Sequence, residues 1–281
     1  MIRQPAVAGQ FYSRTPEVLA AEVARHMAPS IVPRQARAII SPHAGLMYSG
    51  SVAGAVYSRI ILPRTVILIG PNHTGFGPAV SVYPEGAWLI PGGELSVDRE
   101  FTSEILARYP TAQADTSAHR FEHCLEVQLP FLWHMRSRTS DPPPLTIVPV
   151  VLRTTRDDIL RELGLRLADI IEALSRTTRS DAATGPLLIA STDMNHYESD
   201  RRTREKDQLA IEAIQALNPE GLTAVVRSQG ISMCGVGPTA AVLHTACRLG
   251  ATGASLIRYA TSGEVSGDFD RVVGYAGFVI P

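Results

Sequence analysis

The residues best suited to chemistry sit where strand-like runs end. Residues 38–41 (AIIS) lead into Pro42-His43-Ala44-Gly45, residues 65–70 (TVILIG) into Pro71-Asn72-His73-Thr74-Gly75, and residues 187–192 (LLIAST) into Asp193-Met194-Asn195-His196. Imidazole is the commonest metal ligand and a general acid or base suited to neutral pH. If the three runs are parallel strands of one sheet, their carboxyl ends share an edge, where ligands of open α/β sheets bind. His43, His73, Asp193 and His196 then converge. One histidine at a strand end reads as a loop hydrogen bonder; three in the same structural position read as a site.

Two further clusters carry reactive side chains. Ser232-Met233-Cys234-Gly235 precedes a helical pattern, and a thiol at a helix N-terminus is drawn toward thiolate, the form that binds metal or attacks an electrophile. The competing reading is a small buried apolar group, and Cys124 and Cys247, set inside helical patterns, fit it better than Cys234 does. Glu122-His123-Cys124-Leu125-Glu126 opens a helical pattern over residues 122–135, on which His123 and Glu126 share a face. A carboxylate beside an imidazole fixes its tautomer and raises its basicity, which makes His123 and Glu126 candidates. Glu122 reads instead as a first-turn acid matched to the helix dipole. His26 reads as solvated, and His119, His134 and His244 as background.

Positioning such a site is the work of the surrounding elements. Residues 146–152 form a further apolar run, and helical patterns cover residues 16–27, 51–60, 98–108, 156–174, 201–217, 219–228 and 235–249. Residues 254–260 and 272–280 read as strands, the second so continuously apolar that it belongs inside a sheet. The alternation predicts an α/β fold, with a central mixed, largely parallel sheet and helices on both faces, as one domain over residues 1–281. Residues 136–144 and 175–186 read as surface loops. Residues 83–93 (YPEGAWLIPGG) read as a loop suited to setting specificity, with Trp88 packing rather than lining a pocket.

Composition narrows the function classes. The chain has 281 residues, of which 45% are hydrophobic and 19% charged, and its net charge of -1 lacks the basic footprint of nucleic-acid or anionic-membrane binding. No apolar run approaches the roughly 18 residues of a membrane span, and residues 1–10 lack the apolar core of a secretory signal. Three cysteines are too few and too scattered for a disulfide framework, so a cytoplasmic protein is expected. GPNHTGFG at residues 70–77 lacks the Gly-Lys-Ser/Thr ending of a phosphate loop, and neither G-x-G-x-x-G nor G-x-S-x-G nor H-E-x-x-H occurs. A long-range histidine and cysteine site survives.

Together, Pro42-His43-Ala44-Gly45, Gly70-Pro71-Asn72-His73, Glu122-His123-Cys124-Leu125-Glu126, Ser191-Thr192-Asp193-Met194-Asn195-His196 and Met233-Cys234-Gly235 stand in the order found in the Memo family. Ala8-Gly9-Gln10-Phe11-Tyr12 fits as well, and the resemblance spans nearly the whole chain. It implies the fold of class III extradiol dioxygenases, with a nonhaem-iron site. It also implies that His43, His73 and Cys234 are ligands of one transition metal, iron ahead of copper or zinc, with Asp193 and His196 lining the pocket and His123 and Glu126 close by. In prokaryotes the family is protein B of the AmmeMemoRadiSam system, which implies functional association with AMMECR1-like and radical SAM proteins.

Extradiol dioxygenases use two histidines and a carboxylate, so a thiolate here speaks against ring cleavage. The leading expectation is a metal-dependent oxidoreductase in which His196 is the general acid or base and Asp193 orients it or a water. A noncatalytic module binding a peptide or protein in the same cleft, and a metal-dependent hydrolase, are the alternatives.

Overall fold

Leucine, isoleucine and valine runs without charged interruption form the middle of one sheet, as strands covered on both faces must. The computed structural model describes residues 1–28, 30–137, 144–177 and 185–281. Its first half runs β1 (Ile2–Arg3), α1 (Pro16–His26), β2 (Ala38–Ser41), α2 (Leu46–Tyr57), β3 (Thr65–Pro71), β4 (Val80–Val82), β5 (Ala87–Ile90), β6 (Gly93–Val97), α3 (Arg99–Arg108), β7 (Ala112–Ala114) and α4 (Leu129–Ser137). There follow β8 (Thr146–Leu152), α5 (Asp157–Thr177), β9 (Leu187–Ser191), β10 (His196–Glu198), α6 (Asp200–Gln215), α7 (Pro219–Ser228), α8 (Val236–Arg248), β11 (Ser255–Thr261), α9 (Gly263–Ser266) and β12 (Val272–Ile280).

Five strands in the order β6-β8-β3-β9-β2 are parallel throughout. Antiparallel β12 closes the β2 side and carries β11 and β10, while β5 pairs antiparallel with β6 and β1 lies along β5. The fold is therefore the expected α/β sheet, mixed and largely parallel, with β12 inside it. Alternate residues feed two cores. Ile40, Ile67, Ile69, Leu188 and Ala190 pack with side chains of α3, α5 and α8, whereas Ile39, Val66, Leu68, Leu187 and Ile189 pack with α1, α2 and α4. No described helix is long and apolar enough to cross a membrane.

Several expectations change. No helix begins at Glu122; a 3-10 turn covers Glu126–Gln128 before α4. Glu122 folds back over its own turn there, its Oε1 accepting the backbone N–H groups of His123 and Cys124. Helix α2 starts at Leu46 rather than residue 51, because Gly50 and Gly54, which weaken a helical reading, admit His26 against the helix. A Cβ on Gly50 would lie 2.5 Å from the His26 ring, so His26 is packed between helices, not solvated. Residues 83–93 supply β5 and the start of β6. Trp88 is fully buried with Arg3 4.1 Å over its ring and His119 at its edge, and it lines no cleft. Cys247 is exposed. The loops expected at residues 136–144 and 175–186 fall mostly outside the described residues, and α4 and α5 extend into their first positions.

Glu126 anchors the N-terminal segment. Its carboxylate, fully buried, takes the Arg3 guanidinium at 2.7 Å, the N–H groups of Ala6 and Val7, and the Tyr12 hydroxyl at 2.6 Å. Arg3 also donates to the carbonyls of His119 and Glu122. Glu126→Ala strands a buried guanidinium, so chemical denaturation should show a loss of ~3–5 kcal/mol, and Glu126→Gln, which keeps an acceptor, a smaller one.

Candidate metal centre

Strands β3, β9 and β2 are consecutive and parallel, with Ser41 opposite Ser191 and Ile69 opposite Ala190. His73, Asp193 and His43 each stand two positions beyond the last residue of their strand. The shared register therefore delivers them to one edge, as the parallel reading requires. Cys234 joins from the turn before α8, its Sγ 3.3 Å from His43 Nε2. One ligand atom each from His43, His73 and Cys234 lies within 4.8 Å of the others. His43 is buried, Cys234 partly so, and the His73 side chain is 33% exposed, which leaves the cluster open on the His73 side.

The hydrogens of this cluster can be assigned from its partners. The Ser191 hydroxyl donates its one proton to the Cys124 carbonyl at 2.7 Å and accepts from Gln128 Nε2 at 2.8 Å. Gln128 is itself oriented, since its Nε2 donates to the Pro42 carbonyl and its Oε1 accepts the Tyr57 hydroxyl. With no proton left to give, Ser191 must accept from His43 Nδ1, 3.0 Å away. His73 Nδ1 lies 2.8 Å from Glu122 Oε1, an acceptor when ionised. Both Nδ1 atoms are thus engaged by these partners, which leaves Nε2 as the coordinating atom of each ring. A carboxylate or hydroxyl behind each imidazole is the arrangement that orients histidine ligands.

Electrostatics favour a neutral His43 imidazole and a protonated Cys234 thiol. Burial pushes the His43 pKa well below its ordinary value, and the His123 and His73 rings, with centroids 5.4 and 5.3 Å away, lower it further. Burial likewise pushes the Cys234 thiol up, reinforced by the charge of Asp193. The helix-end thiolate expected from sequence is therefore not favoured by the protein alone; a cation beside the sulfur would reverse the balance. Burial works to raise Glu122 too, but hydrogen bonds and charge from His73, with His123, hold it at about 2. A second grouping, His73, Glu122 and Cys124, fits a metal poorly. Its Nδ1 hydrogen is given to Glu122, and the Cys124 thiol donates to the Pro71 carbonyl at 3.1 Å.

The remaining sequence candidates separate. His123 joins the cluster, stacked on His73 at 4.6 Å with Phe11 on its other side. Asp193 accepts the His43 backbone N–H at 2.8 Å, and its own N–H points at Cys234 Sγ at 3.3 Å, so it ties the turns that carry His43 and Cys234 together. Burial raises its carboxyl pKa. His196 donates Nδ1–H to the Ser232 carbonyl at 2.9 Å, which leaves Nε2 as an acceptor. Glu126 faces away, into the N-terminal anchor. Glu122, Ser191, Gln128 and Ser232 were missed by the sequence reading. For Glu122 the first-turn pattern pointed the wrong way, and for the others no local pattern marks a residue that acts through a partner remote in the chain.

An α/β sheet whose strand ends assemble two imidazoles and a thiol presents a candidate metal-binding group at its edge. The sequence matches the family described as Memo-like protein over residues 3–279. It is 39% identical to a MEMO1 family protein of Methanopyrus kandleri over 99% of both chains, and 37% identical to one of Aquifex aeolicus over 99% of this chain and 98% of the relative. A MEMO1 family protein of Ignicoccus hospitalis is 39% identical over the full chain. The chain belongs to the Memo-like family.

Because Glu122 titrates below its ordinary 4.5 in the folded protein, its contribution to stability is complete above that value and is lost as pH falls toward about 2. In metal-free protein the stability gap between wild type and Glu122→Gln should therefore close across that window in pH-dependent denaturation. A gap that stays constant would mean the carboxylate is not held by His73.

Proposed function

We propose that His43, His73 and Cys234 hold one transition metal, iron ahead of copper or zinc, and that the protein is a metal-dependent oxidoreductase acting on a small substrate at this sheet edge. The observation that carries the reading is the donor arrangement: with the Nδ1 atoms of His43 and His73 engaged elsewhere, each ring keeps Nε2 to coordinate with, and one ligand atom of each lies within 4.8 Å of Cys234 Sγ. A metal bound there would supply Lewis acidity and, as iron or copper, electron transfer. The ranking of iron rests on the likeness to nonhaem-iron dioxygenases.

The chain's own groups do the rest. Glu122 and Ser191 hold the two imidazoles by their far nitrogens, so each ring keeps its orientation whether or not a ligand is present. Asp193 fixes the turn that carries His43. His196 Nε2, free because Nδ1–H is given to Ser232, takes a proton from substrate or water and returns it. Substrate enters from the side on which His73 is exposed. The thiol in place of a carboxylate argues against cleavage of a chelating catechol ring. Hydrolysis is the second reading, since two histidines and one cysteine with an open position also make a catalytic zinc set.

Anaerobically purified protein should carry close to one transition metal per chain by elemental analysis. Undiminished metal in the combined His43→Ala, His73→Ala, Cys234→Ala variant would falsify the assignment. Glu122→Gln should weaken metal binding by roughly 10–100-fold through loss of the negative charge behind the His73 ring, measured by competition with a chromogenic chelator. Oxygen consumption by the iron-loaded protein supports oxidation, whereas turnover by the zinc-loaded protein without oxygen supports hydrolysis.

A further inference from the structure

We infer that Asp207, on α6, is a positioning residue that sets the orientation and tautomer of His196 through Asn195 and Ser232. The inference deepens the reading above and rests on it for what His196 does. Asp207 is fully buried, yet it contacts none of the cluster residues. Its Oδ1 accepts the backbone N–H of Asn195 at 2.9 Å, and its Oδ2 accepts the Tyr259 hydroxyl at 2.7 Å. The next link is the Asn195 side chain, whose Oδ1 accepts both the N–H of Ser232 at 3.0 Å and its hydroxyl at 3.1 Å. Ser232 then holds His196 at two points: its Oγ accepts the His196 N–H at 2.7 Å, and its carbonyl accepts Nδ1–H at 2.9 Å.

Each step is directional. The Ser232 carbonyl can only accept, so His196 must carry its neutral proton on Nδ1, and the base is Nε2. Asn195 is kept from turning because Nδ2 is engaged with Glu198 Oε2 at 2.7 Å. Its peptide is held on both sides, the N–H by Asp207 and the carbonyl by the Gly274 N–H. Gly274 makes the approach possible, since a Cβ there would lie 1.9 Å from Asp207 Oδ2. Immediately after His196 the chain turns through Tyr197 at φ 63, a conformation disfavoured for residues other than glycine that persists only where surroundings enforce it.

A carboxylate is a costly choice for packing alone. Burial raises the Asp207 pKa to about 6, offset in part by the Tyr259 and Asn195 hydrogen bonds and by Arg204, while Glu198 pushes it upward. Near neutral pH the ionised group therefore lowers the stability of the fold relative to a neutral isostere. What ionisation provides is an acceptor for both donors that face it, the fixed Asn195 N–H and the Tyr259 hydroxyl.

The test is the state of His196 itself, read in long-range proton–nitrogen spectra of the full chain labelled at histidine nitrogen, metal-free and zinc-loaded, with His196→Gln to assign the signal. Wild type should show His196 protonated at Nδ1. Asp207→Ala should lose that tautomer to a mixture, and Asp207→Asn, which keeps an acceptor for Asn195, should restore it. If Asp207→Ala does not fold, Asn195→Ala, which removes the Ser232 link, should give the same loss. Folded variants with a lower melting temperature but an unchanged His196 tautomer would overturn the inference and leave Asp207 a structural residue only. Zinc uptake in the same samples reports separately on His43, His73 and Cys234, so failure of the metal reading and failure of this one are distinguishable.

Discussion

Parallel pairing of β9 between β3 and β2 is the constraint on which everything else in the site depends. Strands of a sheet lie about 4.8 Å apart, so equivalent positions on three neighbours fall within about 10 Å of one another. When each strand stops at the same height, the residues two positions beyond meet without any long excursion of the chain. His43, His73 and Asp193 occupy those positions. Had any one of the three strands run the other way, its turn would lie at the opposite edge of the sheet.

Around that edge the structure is organised by the direction of hydrogen bonds more than by charge. Ser191 has one proton, and its use by the Cys124 carbonyl decides the tautomer of His43. The Ser232 carbonyl decides that of His196. Glu122 and Glu126, four positions apart, divide the labour of the segment between them: the first faces His73, and the second faces Arg3 and the N-terminal backbone. Neither is replaceable by its neighbour, because each carboxylate is filled by donors that cannot move.

Much of this was legible in the sequence, for physical reasons that also mark where legibility stopped. Strands β2, β3, β8 and β9 are apolar runs ending in polar turns, and such runs show themselves. The triad His43, His73 and Cys234 followed from turn position and family motif together. The short strands β1, β4 and β7, of two or three residues, are too brief for alternation to register. Residues 122–128 have helical composition, yet only a 3-10 turn over Glu126–Gln128 forms before α4, and Glu122 turns its carboxylate to the backbone of His73, His123 and Cys124. Asp193 was placed at the right edge, but its bond to the His43 N–H, which spans 150 positions, left no local trace. Glu126 has the same history in reverse: correct chemistry beside an imidazole on paper, but aimed at the other side of the turn.

The contact between His43 and Cys234 joins residues 191 positions apart, and that separation has a bearing on synthesis. Translation proceeds from the N-terminus, so both histidines emerge long before the sulfur and before β12, whose pairing closes the free edge of β2. A nascent chain holding only two of the three donors offers a cation no more than a partial grip, and the complete set arises only when distant segments have folded together. Any cation these three donors hold together would therefore be bound only once β12 and the turn before α8 are in place. The order of the donors along the chain thus leaves the three-donor set incomplete on a half-made protein.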